Sequence, residues 1–371
     1  MAVSRINEAG LDVNQYGNRN LIINGAMQVA QRGTSGTLAA TNNFLVDRFT
    51  GSRLGGLADI FDTAQVSDAP DDFTYSYKLT QDGTSVTLSG TNASMFQYRP
   101  EGQDFAHLNW GTSSAKSVTL SFYVKSSVTG TLAVISTSSN SDQDIAKEYT
   151  INSANTWERK TLTIPGPTSG TWGTGNSVFG YFTWGICGVL GSARETSNID
   201  AWGTGSGGTS ITVTANSTNA LATTSGATWQ ITGVQLEVGD TATDFEHRSY
   251  ADELARCQRY YYRMKPINPS GGVAHAGAFN THARTSTELY GVVHLPTAMR
   301  TTPSLAISAT GDMTAYHAAI SLTVSSFTMG GMSTAASAEI NVTVNSGGTA
   351  GYAGWIRINK ATGYIEFDSE L

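Results

Sequence analysis

Charge is what this chain has least of. Lys, Arg, Asp and Glu make up 14% of its 371 residues, against roughly 25% in ordinary soluble domains. The balance is a net −7 with no block of about five like charges. That excludes a phosphate backbone as partner, because binding one needs clustered Lys and Arg. Long apolar runs are missing too. None approaches the ~18 residues a membrane helix needs, and Met1–Gly10 has no apolar core of the kind a secretory signal carries. Only two cysteines occur, Cys187 in an apolar strand and Cys257 in a helical pattern, which reads as two buried thiols and not a disulfide framework. There is no G-x-S-x-G elbow, no C-x-x-C and no H-E-x-x-H, and the spacing of His275, His282, His294 and His317 fits no ligand signature.

What fills the space is Gly, Ser, Thr and Asn around short alternating runs. Val118, Leu120, Phe122 and Val124 alternate with polar residues in 117–125, and 130–136, 157–164, 178–186, 210–215 and 228–238 continue the series. Period-2 runs separated by turn residues predict antiparallel layers rather than βαβ units. The pattern in 228–238 slips near Gly233, the mark of a bulge. A helix is expected from Ser249, an N-cap with Asp252 three residues on, and early acids and late bases suit its dipole. Further strands are expected at 273–279, 287–295, 304–308, 318–324, 338–344, 354–358 and 363–367. The reading is an all-β chain: an antiparallel jelly-roll sandwich over 20–246, a short connecting helix over 247–265, and a smaller C-terminal β-sandwich over 266–371. No tandem repeat marks a β-helix.

Two segments carry a resemblance. NLIINGAMQVAQRGT at Asn20–Thr34 with FLVDRF at Phe44–Phe49, and QLEVG followed by TDFE and CQRYYYR ending at Arg263, are similar to bacteriophage tail-fibre and related virion proteins. In those, the second segment closes a carbohydrate-binding-like jelly roll. The resemblance covers 20–263. It implies a non-enzymatic virion part assembled in the host cytoplasm, a homotrimer whose polar segment 1–19 docks on other virion proteins and whose outer parts meet a host-surface glycan. A head fibre or capsid decoration protein, and a polysaccharide depolymerase, are the alternatives.

Candidate site residues follow from chemistry. Tyr98, Trp110, Trp172 and Trp202 lie in or beside polar, glycine-rich loops, where a flat ring is placed to stack on sugar; filling the sandwich core is the competing reading. Tyr290, Tyr316 and Trp355 are comparable candidates in the C-terminal domain, whereas Trp184 and Trp229 fall inside strands as core. Tyr250, Leu254, Cys257 and Tyr261 are spaced as one helical stripe, to be buried either on the same chain's sheet or at a three-fold seam. The loop acids Asp68, Asp71, Asp72 and Glu237, Asp240, Asp244, Glu246 suit turns, then calcium ligation, then catalysis. Catalytic residues and cofactors are expected to be none. The spelling GTGSGG at 203–208 precedes a strand-like run, so it reads as a loop and not a phosphate cradle.

Overall fold

The computed structural model describes residues 18–40, 43–208, 210–266, 276–317 and 320–371. The expected anchoring segment therefore lies outside the described residues except for Asn18 and Arg19. The chain divides into two compact units, with the division between Glu253 and Leu254.

The first unit contains β1 (Ser35–Thr37), β2 (Phe49–Leu54), β3 (Phe61–Val66), β4 (Ser76–Gln81), β5 (Ala93–Tyr98), β6 (Val118–Ser126), β7 (Gly130–Ser138), β8 (Gln143–Ile151), β9 (Glu158–Ile164), β10 (Gly180–Gly188), β11 (Gly203–Thr204) and β12 (Thr228–Val238). They form two six-stranded antiparallel sheets, in the orders β1-β3-β4-β12-β6-β9 and β11-β8-β7-β10-β5-β2. This is a jelly roll. The inward set of β6 and β12, Val118, Leu120, Phe122, Val124, Trp229, Ile231, Val234 and Leu236, is fully buried. Between the sheets Phe96 is the hub. It stacks on Phe49 at 5.0 Å and meets Trp184 at 5.9 Å and Trp229 at 5.7 Å edge-on, the arrangement aromatic quadrupoles favour.

β1 to β5 have no counterpart in the sequence-based strand series. β5 is short and buried at every position, and the adjacent Met95 and Phe96 interrupt the alternation that marks a strand. The opposite happens at 210–215, which alternates but makes only an isolated bridge at Val213. This stretch lies over the outer face of the second sheet, where Ile211 packs with Ala133, Ile135 and Ala146.

The slip near Gly233 is a bulge. Thr232 pairs with Tyr123 and Gln235 with Ser121, so one extra residue sits on β12. Gly233 takes φ +61°, and a Cβ there would lie 2.7 Å from Phe73 Cζ and 2.9 Å from Tyr123 Cδ2. Glycine is required both by the left-handed backbone and by the rings lying on it.

The two segments of the virion resemblance meet on this strand. The far edge of β12 pairs with β4 only as far as Ile231; beyond it, Leu21 N–H donates to Leu236 and Val234 N–H to Gly25. The Asn20 side chain accepts from Ile22 and Leu236 N–H and donates to the Val234 carbonyl. Glu246 accepts from Asn20 N–H at 2.8 Å, and Glu253 from Asn24 N–H and from Arg248 at 2.9 Å. These motif residues clasp the ends of the jelly roll together.

The helix spans Tyr250–Gln258. Its cap forms as the sequence predicts: Ser249 Oγ accepts from Asp252 N–H at 3.2 Å and donates to the Asp252 carboxylate at 2.7 Å.

The second unit holds β13 (Tyr261–Met264), β14 (Ala276–Ala283), β15 (Glu288–His294), β16 (Ser304–Ile307), β17 (Met313–His317), β18 (Ile320–Met329), β19 (Ser337–Val344), β20 (Ala353–Ile358) and β21 (Ile365–Asp368). Six strands close into a barrel in the order β14-β15-β19-β18-β17-β20, and β13-β21-β16 form a separate three-stranded sheet. The antiparallel layers expected here are thus closed on themselves, which removes the exposed edges an open sandwich would leave. Leu289, Ala315, Val324, Ile340, Val342 and Ile356 belong to its buried core.

Candidate functional site

Three of the four predicted sugar-stacking residues converge, but on one another. Trp110, Trp172 and Trp202 form a triangle with ring centroids 4.7, 5.5 and 5.6 Å apart, all edge-to-face, over Phe179 and Phe182. Each indole N–H is consumed by a backbone carbonyl: Trp110 at Lys116, Trp172 at Ser169, Trp202 at Pro165. Trp110 is 6% exposed; Trp172 and Trp202 are half-buried against the main core. The cluster plugs an end of the sandwich, which corrects the expectation for Trp110. Tyr98 is corrected as well. It is 1% exposed, burial pushes its hydroxyl pKa up to about 12, and its hydroxyl oxygen accepts from Ile23 N–H. Loop position suggested exposure, but loops over an open sandwich end also have to cover its core.

The proposed interface stripe is divided in the same way. Cys257 is fully buried and Tyr261 is 1% exposed within one chain, because the helix stops at Gln258 and Tyr261 opens β13, paired with Asp368. Tyr250 stays exposed and Leu254 half-buried. A four-residue seam is therefore replaced by two available side chains. Cys187 is buried, as Cys257 is, and burial raises the Cys187 thiol pKa to about 11.

Most of the loop acids are engaged in turns and clasps. Asp68 pairs with Lys125, which lowers its carboxyl below the usual range, and also accepts from Gln230 at 3.2 Å. Glu237 accepts from Thr243 N–H at 3.0 Å. No group of three or more potential metal-ligating His, Cys, Asp or Glu side chains exists among the described residues. Gly203 and Thr204 pair with β8.

Two other aromatic groupings of different shape reach the surface. On the barrel wall, Trp355 points outward between the buried Gly354 and Ile356 and is 45% exposed. Its cross-strand partner Tyr316 lies parallel to it, 5.2 Å away at 9°. The Arg357 guanidinium sits 4.6 Å over Tyr316, and Asn280 is opposite Trp355 on β14. The result is a flat, pre-oriented ring edged by hydrogen-bonding groups.

The second place is on the outer face of the first sheet. Phe73, Tyr123, Phe245 and His247, with Asp72 and Asp244, line a cleft of about 390 Å³. Phe73 meets Tyr123 at 5.4 Å, Phe245 at 5.0 Å and His247 at 5.2 Å. None of these was singled out as aromatic binding candidates in the sequence, although the slip at Gly233, where two of the rings rest, was visible there. A smaller polar niche of about 170 Å³ lies on the other sheet, where Gln97 donates to Thr183 and accepts from Arg99.

No protein-family model matches the chain, and no curated protein matches it in sequence. Among solved structures it is similar to the enzymatically active domain of bacteriophage CBA120 tailspike protein 4, at 16% identity and TM-score 0.33 over 60% of this chain. The chain spans 22% of that tailspike's length. It is similar also to a putative sugar binding protein from Bacteroides thetaiotaomicron (10% identity, TM-score 0.33, covering 59% of this chain and all of the other). A third is a family 11 carbohydrate-binding module of a Clostridium thermocellum cellulase (14% identity, TM-score 0.27, 58% and 98%).

Proposed function

We propose that this protein is a phage virion component, a homotrimeric tail fibre that binds host-surface glycan without catalysing a reaction or holding a cofactor. The observation that carries the glycan part is Trp355, an indole lying parallel to Tyr316 and 45% exposed to solvent. A pyranose presents an apolar face to such a ring and hydroxyls to neighbouring polar groups, here Asn280, opposite Trp355 on β14. Stacking on one ring is weak, and repetition over three copies multiplies it into lasting attachment. The virion part rests on the two matched segments, which here form the clasp around β12.

The test is a glycan array or host-polysaccharide binding assay with the purified protein and Trp355→Ala. Loss of binding is expected, with the fold retained and stability lowered by about 0.5–1.5 kcal/mol through the lost stack on Tyr316. Wild-type protein that retains no host glycan, or a variant that binds as well, overturns the reading.

A further inference from the structure

We propose that the cleft formed by Phe73, Tyr123, Phe245 and His247 with Asp72 and Asp244 is a binding site for an organic ammonium group, carried by an amine-bearing sugar or a choline-like headgroup. It belongs to a different unit from the Trp355 platform and to a different ligand chemistry, so its test stands whether or not that platform binds glycan.

Ring geometry sets the two sites apart. Trp355 and Tyr316 are parallel at 9°, a flat surface. The rings of the cleft are mutually tilted: Phe73 at 56° to Tyr123, 65° to Phe245 and 43° to His247, and Phe245 at 72° to His247. The rings touch one another, with centroids 4.9–5.4 Å apart, and together line the open cleft, so more than one π-surface borders the same space. That suits a compact cation and not a planar ring.

Charge agrees with shape. The residues lining the cleft carry two carboxylates and no Lys or Arg. Asp68, Glu158, Glu237, Glu246 and Glu253 are all engaged by hydrogen bonds or ion pairs. Asp72 and Asp244 are exposed, and among the described residues neither side chain has such a partner. Arg159, opposite Tyr123 on β9, donates to the Thr243 carbonyl. Arg19 also donates to Thr243 Oγ1 at 2.7 Å and to the Asp244 carbonyl at 3.4 Å, so both guanidiniums are held on Thr243 and the backbone. The Asp72 and Asp244 carboxylates stay open beside the aromatic faces, an attraction to a cation that a neutral ligand does not use.

The site is also built into the fold. Phe73 and Tyr123 rest on the bare backbone of Gly233, where the bulge of β12 leaves room for them. Three separate pieces of chain converge there: the loop between β3 and β4, the middle of β6, and the segment after β12.

Titration of the intact protein with tetramethylammonium, choline and glucosamine, with glucose and N-acetylglucosamine as uncharged controls, tests the proposal by calorimetry or NMR. The ammonium compounds are expected to bind and the neutral sugars not. Phe73→Ala and the exposed, fold-sparing Asp244→Asn should each weaken binding by roughly 3- to 30-fold, and 1 M salt should weaken it further. Preference for glucosamine over choline, or the reverse, identifies the source and supports the site either way. Equal binding of glucose, no binding of any ammonium probe, or wild-type affinity in both variants overturns it.

Discussion

Replacing Gly233 by alanine separates two costs that the structure predicts at this position. The first is backbone: φ +61° places a non-glycine residue in the left-handed region at about 1–2 kcal/mol, offset in part by ~0.4–1 kcal/mol from the stiffer unfolded chain. The second is crowding. A Cβ would stand 2.7 Å from Phe73 and 2.9 Å from Tyr123, where carbon contacts ordinarily lie at ~3.5–4.0 Å, so the rings must withdraw by about 1 Å. Overpacking costs ~1–3 kcal/mol, and half-buried rings that can swing outward put this case near the low end. Gly226 supplies the control. Its φ is +71°, with nothing within 4 Å of a Cβ, so Gly226→Ala carries the backbone cost alone. Gly233→Ala should therefore be the less stable of the two by about 1–2 kcal/mol, or roughly 3–6 °C in the melting transition of a unit this size. Calorimetry of both variants measures the difference, and ammonium binding should fall only in Gly233→Ala. Equal melting temperatures with equal binding would refute the claim that these rings rest on the bulge.

Two further outcomes follow from the same structure. Burial acts to raise the Glu158 carboxyl, but Lys160 and the donors of Asn152 and Ser153 outweigh it and hold it at about 2. A depressed carboxylate stabilises the fold above its unfolded value of about 4.3 and loses that contribution as pH falls toward 2, so Glu158→Gln should flatten the acid limb of denaturation over that window. At the helix, Tyr250 and Leu254 are the side chains left for a seam, and burying each apolar group is worth roughly 1.5–3 kcal/mol. Leu254→Asp should then shift a trimer toward single chains in sedimentation, and an unchanged mass would remove the helix from the interface.

Strand identity was legible where apolar and polar side chains alternate over a long run, as in β6 and β12, even though both are largely buried on both faces. The alternation of 117–125 and 228–238, the slip at Gly233 and the Ser249–Asp252 cap are local facts, and local geometry expresses them directly. β5 was not legible, because Met95 and Phe96 stand side by side in a six-residue strand and break the alternation that reveals one. The Trp355 candidate was visible as an aromatic in an alternating run, since its neighbours Gly354 and Ile356 fix its direction.

Exposure was the quantity the sequence left open. Trp110, Trp172 and Trp202 lie far apart along the chain in similar polar loops, and only the folded sandwich brings them together as a plug, leaving the barrel's Trp355 facing solvent instead. Phe73, Tyr123 and Phe245 likewise come from separate stretches and meet only because β12 bulges between them. Composition and period depend on neighbours in the chain, so the sequence determined an all-β antiparallel protein with a capped helix. Which rings face water depends on long-range packing, and that was decided by the tertiary structure alone.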